Sequence, residues 1–226
     1  MTGSERENGR TGERDPHAGS FPIPPFSLSP VLLSLVSAVL VWSAIHPHDH
    51  FTWFLEVAPI LIGLPIVLLT RNRFPLTPLA YTLLATHACI LAVGGHYTYA
   101  EVPAGYWMRD LMGWTRNNYD RLGHLAQGFI PAIVAREILL RTSPLRPGKW
   151  LTFLVICFCM ALSSFYELIE WWTAAATGTA ADAFLGTQGD PWDTQWDMML
   201  AMIGACLSLA LLSRLHDRQL ERLGRQ

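Results

Sequence analysis

Cysteine is scarce in this chain, and Cys89, Cys157, Cys159 and Cys206 all lie inside apolar stretches. That placement excludes a disulfide framework and a zinc knuckle, and the four read as small core residues. Cys157 and Cys159 are two apart, a spacing at which helical side chains do not face each other. Charge is scarce too: 15% of residues, with a formal net charge of −2. No basic patch gathers outside short loops, which removes nucleic acid from the partners. Also missing are a phosphate-binding glycine loop, a nucleotide fingerprint, a haem-attachment motif and an HExxH pair.

What the chain has is apolar length. Half of its 226 residues are hydrophobic (51%) and the mean hydropathy is +0.26, too apolar for an ordinary soluble domain and too charged for a chain that is all membrane. The pattern predicts an all-α polytopic bundle of about six spans. Residues 1–25 mix Gly, Ser, Arg and Glu before FPIPP, without apolar period, and read as a disordered cytoplasmic tail. Acidic residues within it and the absence of a small-residue cleavage pattern argue against a secretory signal. Residues 26–213 form the six-span domain, and 214–226 a basic, helical cytoplasmic tail.

The spans fall at Leu28–Ile45, Phe51–Thr70, Leu76–Gly94, Arg121–Leu140, Trp150–Trp172 and Pro191–Ser213. Between the third and fourth, GGHYTYAEVPAGYWMRDLMGWTRN interleaves aromatics with single charges, as in segments that lie at headgroup level or fold back over a bundle. The nine tryptophans read mostly as interface anchors near span ends. Thirteen of the sixteen Lys and Arg fall on the side that holds both termini, which the positive-inside rule makes cytoplasmic. The opposite side keeps only Arg109, Arg116 and Arg121, and collects Asp49, Glu101, Asp110, Asp120, Asp182 and Asp190 with His96 and the histidines of HPHDH at 46–50. The expected location is the bacterial inner membrane, multi-pass.

The chain is organised around NNYDRLGHLAQ, residues 117–127. Asp120, His124 and Gln127 recur at i, i+4, i+7 and share one helix face. Ionisable groups at membrane depth are costly and mark a site by default. Span five repeats the spacing with Ser163, Glu167 and Glu170, beside Tyr166. Both glutamates fall in the last turns of a helix, where the dipole disfavours anions. Two carboxylates one turn apart, half out of water, need a cation, a proton or an arginine.

Span six opens with GDPWDTQWDMM. Asp190 reads as an N-cap before Pro191 at the first helical position, with Asp193 at the third. Asp197 lies beyond capping reach, on a face that Ala201 and Gly204 continue with small residues suited to close helix packing. Asp120 has a capping alternative of its own.

Three readings of the cluster compete: a divalent metal (Zn, Mn or Fe) on His124 with Glu167, Glu170, Asp197 or Asp120; a proton relay using the same acids; and a structural network paired with Arg116 and Arg121. The two arginines flank the Asp120 turn and read either as a cradle for a phosphate-bearing lipid headgroup or as partners of Asp110, Asp120 or Glu170. Glu56 and His87 are further intramembrane polar groups, each needing one partner. The HPHDH turn reads as a solvated loop before a metal site.

HYTYAEVP at 96, RNNYDRLGHLAQG, SSFYELIEW and LGTQGDPWDTQWDM together resemble the YjdF-type bacterial inner-membrane proteins, a family of unknown function, over residues 28–213. Spans four to six are also similar, more distantly, to the VanZ-like membrane proteins associated with teicoplanin resistance. Asp120, Arg121 and His124 match that family's D-K-x-x-H with arginine for lysine; Ser163 and Glu167 match S-x-x-x-E-x-x-Q with Glu170 for glutamine; Asp197 and Gly204 match D-x-x-x-N-x-x-G with Ala201 for asparagine. The likeness implies a shared scaffold and site location, and no reaction.

From residues and resemblance together the expected function is a cell-envelope protein that binds or processes an envelope lipid or cell-wall precursor. In it His124, Glu167 and Asp197 are the catalytic candidates, and Arg116 and Arg121 the lipid- or phosphate-binding ones. Membrane lipids and a lipid-linked ligand are the expected partners. A small proton-coupled transporter and a structural or assembly factor are the alternatives.

Overall fold

The structure, a computed structural model, describes residues 29–178 and 182–224, and every regular element among them is helical. In chain order these are α1 (Pro30–Ser43), α2 (His50–Thr70), α3 (Pro78–Tyr97), a 3-10 turn (Tyr99–Glu101), α4 (Pro103–Met112), α5 (Tyr119–Thr142), α6 (Lys149–Thr177), α7 (Asp182–Leu185) and α8 (Asp193–Gly224). The sequence sets most starts locally. Asp49 caps α2 by accepting from the Thr52 N–H at 2.6 Å, and Thr77 caps α3 ahead of Pro78 at the first helical position. Gly113, at φ 68°, ends α4 in the left-handed conformation that only glycine adopts freely.

Four helices, α2, α3, α6 and α8, are long and apolar enough to cross a membrane. The expected count of six therefore meets four clear spans. Described over 14 residues, α1 extends about 21 Å at 1.5 Å per residue, short of a hydrocarbon core of about 30 Å. The fifth helix has the length, 24 residues, but its buried Asp120, His124, Arg136 and Glu137 give it the interior of a soluble helix. It is the axis of the bundle, packed along α8 and against α6 and α3.

Small residues allow that packing. A β-carbon on Gly128 would overlap the Ala201 carbonyl, and one on Gly204 the Leu125 carbonyl, so α5 and α8 meet backbone to backbone. The small stripe of span six faces α5, as its sequence predicts. Apolar side chains turn outward, Leu69, Val31, Leu211 and Ile62 among them, while acids and histidines turn in. That polarity suits lipid as solvent, where the costly groups are the charged ones.

Several boundaries shift: span five runs on to Thr177, which sets Glu167 and Glu170 deeper inside the helix than expected, and span three runs on to Tyr97. Span six starts at Asp193, because Pro191 and Trp192 form a turn whose Trp192 N–H donates to Asp190 Oδ1 at 2.9 Å; Asp190 caps that turn and not the helix. Span four starts at Tyr119. There Asn117 Oδ1 accepts from the Tyr119 N–H at 3.0 Å, leaving Asp120 free of capping duty. The basic stretch after Ser213 continues α8 without a break as far as Gly224. The tail at 1–25 lies outside the described residues.

Candidate functional site

One turn into α5, Asp120 and His124 point the same way, and Gln127 follows a turn later. The His124 ring sits between two groups of acids. Its Nε2 lies 3.5 Å from Asp120 Oδ1 and 3.9 Å from Asp197 Oδ2 of α8. Its Nδ1 lies 3.0 Å from Gln127 Oε1 and 3.8 Å from Glu167 Oε1 of α6. Glu170 stands one turn further along α6, close enough that one of its oxygens shares a volume with His124 and Glu167. The three helices converge as the repeated i, i+4 spacing implies.

The structure adds a fourth helix. Glu56 of α2 is buried and accepts from the Tyr166 hydroxyl at 3.2 Å, and the Tyr166 ring stands edge-on to His124 with centroids 6.4 Å apart. Glu56 thus joins the cluster through a tyrosine of α6. His87 does not: its Nε2 is buried without a partner beside an apolar cavity of about 130 Å³ between α1, α2 and α3.

The acids here outnumber the cations. Glu56, Asp120, Glu167 and Asp197 are all buried, and among the described residues the one cationic side chain that meets Asp120, Glu167 and Asp197 within 3.9 Å is His124. Glu167 Oε1, Asp197 Oδ1 and the Ser163 hydroxyl are buried with no hydrogen-bond partner. Unpaired buried oxygens cost about 1–3 kcal/mol each, more when charged, and call for an explanation such as an ion or a ligand.

The arginines are occupied elsewhere. Arg116 pairs with Asp193 at 2.7 Å and reaches Asp190 at 3.5 Å, and Arg121 pairs with Asp190 at 2.7 Å. Pairing with Asp110, Asp120 or Glu170 is not what forms; Asp110 takes its neighbour Arg109 at 2.7 Å. Both guanidinium groups keep a buried Nε without a partner. They border a groove of about 730 Å³ between α4, α5 and α8, whose walls include Trp114, Leu122, Leu125 and Trp196. This groove lies on the opposite face of α5 from His124.

Asn117 and Gln188 are site-building residues that the sequence did not single out. Gln188 accepts from the Asn117 N–H and donates to the Asn117 carbonyl, while Asn117 Nδ2 donates to the Val102 carbonyl. These bonds fasten the two connecting segments over the N-terminal end of α5. Gly105 packs against the Asn117 side chain, where a β-carbon would not fit. The only advance signal is an Asn just ahead of the α5 polar face.

A second polar cluster, at the other end of α5, went unpredicted. Glu137 is fully buried and its two oxygens accept from the Thr77 N–H, the Thr77 hydroxyl, Arg141 Nη1 and His216 Nε2, all between 2.7 and 3.2 Å. Arg136 donates to His216 Nδ1 at 2.9 Å and pairs with Asp217 at 2.7 Å. The HPHDH turn, by contrast, builds no centre. His48 meets Glu101 at 3.6 Å in the open, and among the described residues both groups of side chains close enough to share one cation are built on His124.

Comparison with known proteins gives the family. The model for predicted membrane proteins DUF2238 matches residues 28–218. The chain belongs to this family. It is similar to Inner membrane protein YjdF of Escherichia coli (strain K12), 50% identical over 202 residues, which is 88% of this chain and 97% of the relative. No solved structure matches. The likeness to VanZ-like proteins is not shown by these comparisons. As a DUF2238 protein with several apolar spans, the chain is a multi-pass protein of the bacterial inner membrane.

Proposed function

We propose that this DUF2238 protein binds a phosphate-bearing envelope lipid or cell-wall precursor at the N-terminal end of α5 and acts on it with the His124 cluster. The observation that carries the reading is the set of buried oxygens without partners on Glu167, Asp197 and Ser163, in a cluster fed by four helices. A purely structural network would have closed those bonds. His124 is the base or ligand, Glu167 the acid that faces it, and Asp197 a ligand or orienter. A divalent cation, Zn, Mn or Fe, supplies the charge that the acids lack.

In this reading α1 and α5 complete six spans, both termini are cytoplasmic, and the His124 end faces outward, as the distribution of Lys and Arg supports. Arg116 and Arg121 border the lipid approach with one unpartnered N–H each. The apolar groove beside them offers an acyl chain a wall of Leu122 and Leu125, and the headgroup reaches the His124 face by passing over the N-terminal end of α5.

The test is the lipid complement of detergent-purified protein by mass spectrometry, wild type against His124→Ala and Glu167→Ala. A phosphate-bearing lipid should accompany the wild type and change in amount or chemical form in both variants. Identical complements in variants that remain folded would end the reading. Reporter fusions at the two termini test the orientation, and an external signal from either would reverse it.

A further inference from the structure

The carboxylates around His124 divide by which edge of the imidazole they face, and that division selects one seat for a cation. Gln127 presents its carbonyl oxygen to Nδ1 at 3.0 Å. An amide oxygen only accepts, so Nδ1 carries the proton and Nε2 of the neutral ring carries the lone pair. That lone pair faces Asp120 Oδ1 at 3.5 Å and Asp197 Oδ2 at 3.9 Å. Three electron-rich atoms therefore converge with no donor among them.

Two things could resolve such a convergence. A second proton on His124 would draw the carboxylates to charge-assisted hydrogen-bond distance, about 2.7–2.9 Å. The observed separations are well beyond that. Two ligands each about 2.1 Å from a tetrahedral ion, at an angle of about 109°, stand about 3.4 Å apart. The Asp120 separation matches this spacing, and the Asp197 separation lies nearer to it than to a hydrogen bond.

We propose that His124 Nε2, Asp120 and Asp197 form a three-ligand seat for a divalent transition metal, with Gln127 holding the ring from behind. The proposal rests on the lipid-site reading above and names the cofactor of that site. Asp197 is independent support: its side chain is 4% exposed, and its other oxygen is buried with no partner. Three protein ligands leave the fourth tetrahedral position for water or a substrate oxygen, as catalytic sites require. The Nδ1–H to Gln127 bond is the usual outer-shell support of a metal-bound histidine. Glu167 and Glu170 then stand on the other edge of the ring, outside the coordination sphere, where the unpartnered Glu167 Oε1 is free to take a proton.

The experiment is Zn²⁺ and Co²⁺ binding to the full-length protein in detergent, by elemental analysis and by the visible spectrum of tetrahedral Co²⁺. One equivalent should bind to the wild type. Asp120→Asn and Asp197→Asn should each weaken binding at least tenfold, while Glu167→Gln and Glu170→Gln should leave it within about threefold. Gln127→Ala removes no ligand, only the bond that holds the His124 ring, and should weaken binding about tenfold, in the range seen for outer-shell partners; it serves if an Asn variant does not fold. The opposite pattern, loss in the glutamate variants with binding intact in the aspartate ones, would overturn the seat. So would a folded wild type that takes no metal. Lipid content read on the same samples separates the two claims: lipid without metal ends the seat and spares the lipid reading, and metal without lipid does the reverse.

Discussion

The two ends of α5 each carry a buried histidine among acids, and they differ in how completely the bonds close. At the Glu137 end one carboxylate takes donors from Thr77, Arg141 and His216, and Arg136 fixes His216 from the other side. At the His124 end, four buried carboxylates from four helices share one histidine and one tyrosine, and two of the four keep an oxygen without a partner. A saturated network ties helices together. An unsaturated one spends stability on a place for something else. Burial and residue type alone do not separate these cases; the count of donors against acceptors does.

Breaking the saturated end should have the largest effect. Glu137→Ala leaves the buried His216 and Thr77 hydroxyl without their acceptor and takes one partner from the exposed Arg141, so unfolding stability in detergent should fall by about 3–5 kcal/mol, the usual cost of removing one partner of a buried pair. A melting temperature unchanged in Glu137→Ala would mean that the network is not a structural tie. Next comes the α5–α8 contact. Gly204→Val forces a side chain against the Leu125 carbonyl, and an expected loss of about 1–3 kcal/mol is measurable in the same assay.

The unsaturated end should respond with the opposite sign. Asp197→Asn removes a buried carboxylate whose Oδ1 has no partner, and metal-free protein should gain up to about 1 kcal/mol while losing its ligand. A loss of stability there as large as that of Glu137→Ala would erase the distinction between the two ends. Asp49→Ala calibrates the scale: it deletes one helix cap, at about 1 kcal/mol. The Thr52 N–H lowers the Asp49 carboxyl below its ordinary pKa. A folded-state pKa below the unfolded one means that this contribution is complete above the ordinary carboxylate range, about pH 4, and disappears as pH falls through the lowered value. Wild type and Asp49→Ala should therefore converge in stability at strongly acid pH, and a constant gap between them would count against the cap.

The i, i+4 spacings in α5 and α6 were legible because helical periodicity fixes which side chains share a face before any packing occurs. Asp197 was legible too, since it lies too far into its helix to cap. Glu56 was visible only as an isolated intramembrane acid, because nothing local says that α2 brings it beneath Tyr166. The Glu137 network was hidden for the same reason, its members being separated by 60 to 80 positions in the chain. For Arg116 and Arg121 the sequence offered several acids, and the turn at 190–192 chose Asp190 and Asp193.

The sequence by itself determined an all-helical membrane chain and the helix faces on which its ionisable groups sit, since apolar length and periodicity act locally. Only the tertiary structure decided which acids meet which edge of His124, because that depends on how closely α5 and α8 approach at Gly128 and Gly204. A long-range contact has no local signature. The same packing that saturates Glu137 leaves Asp197 Oδ1 and Glu167 Oε1 without a hydrogen-bond partner.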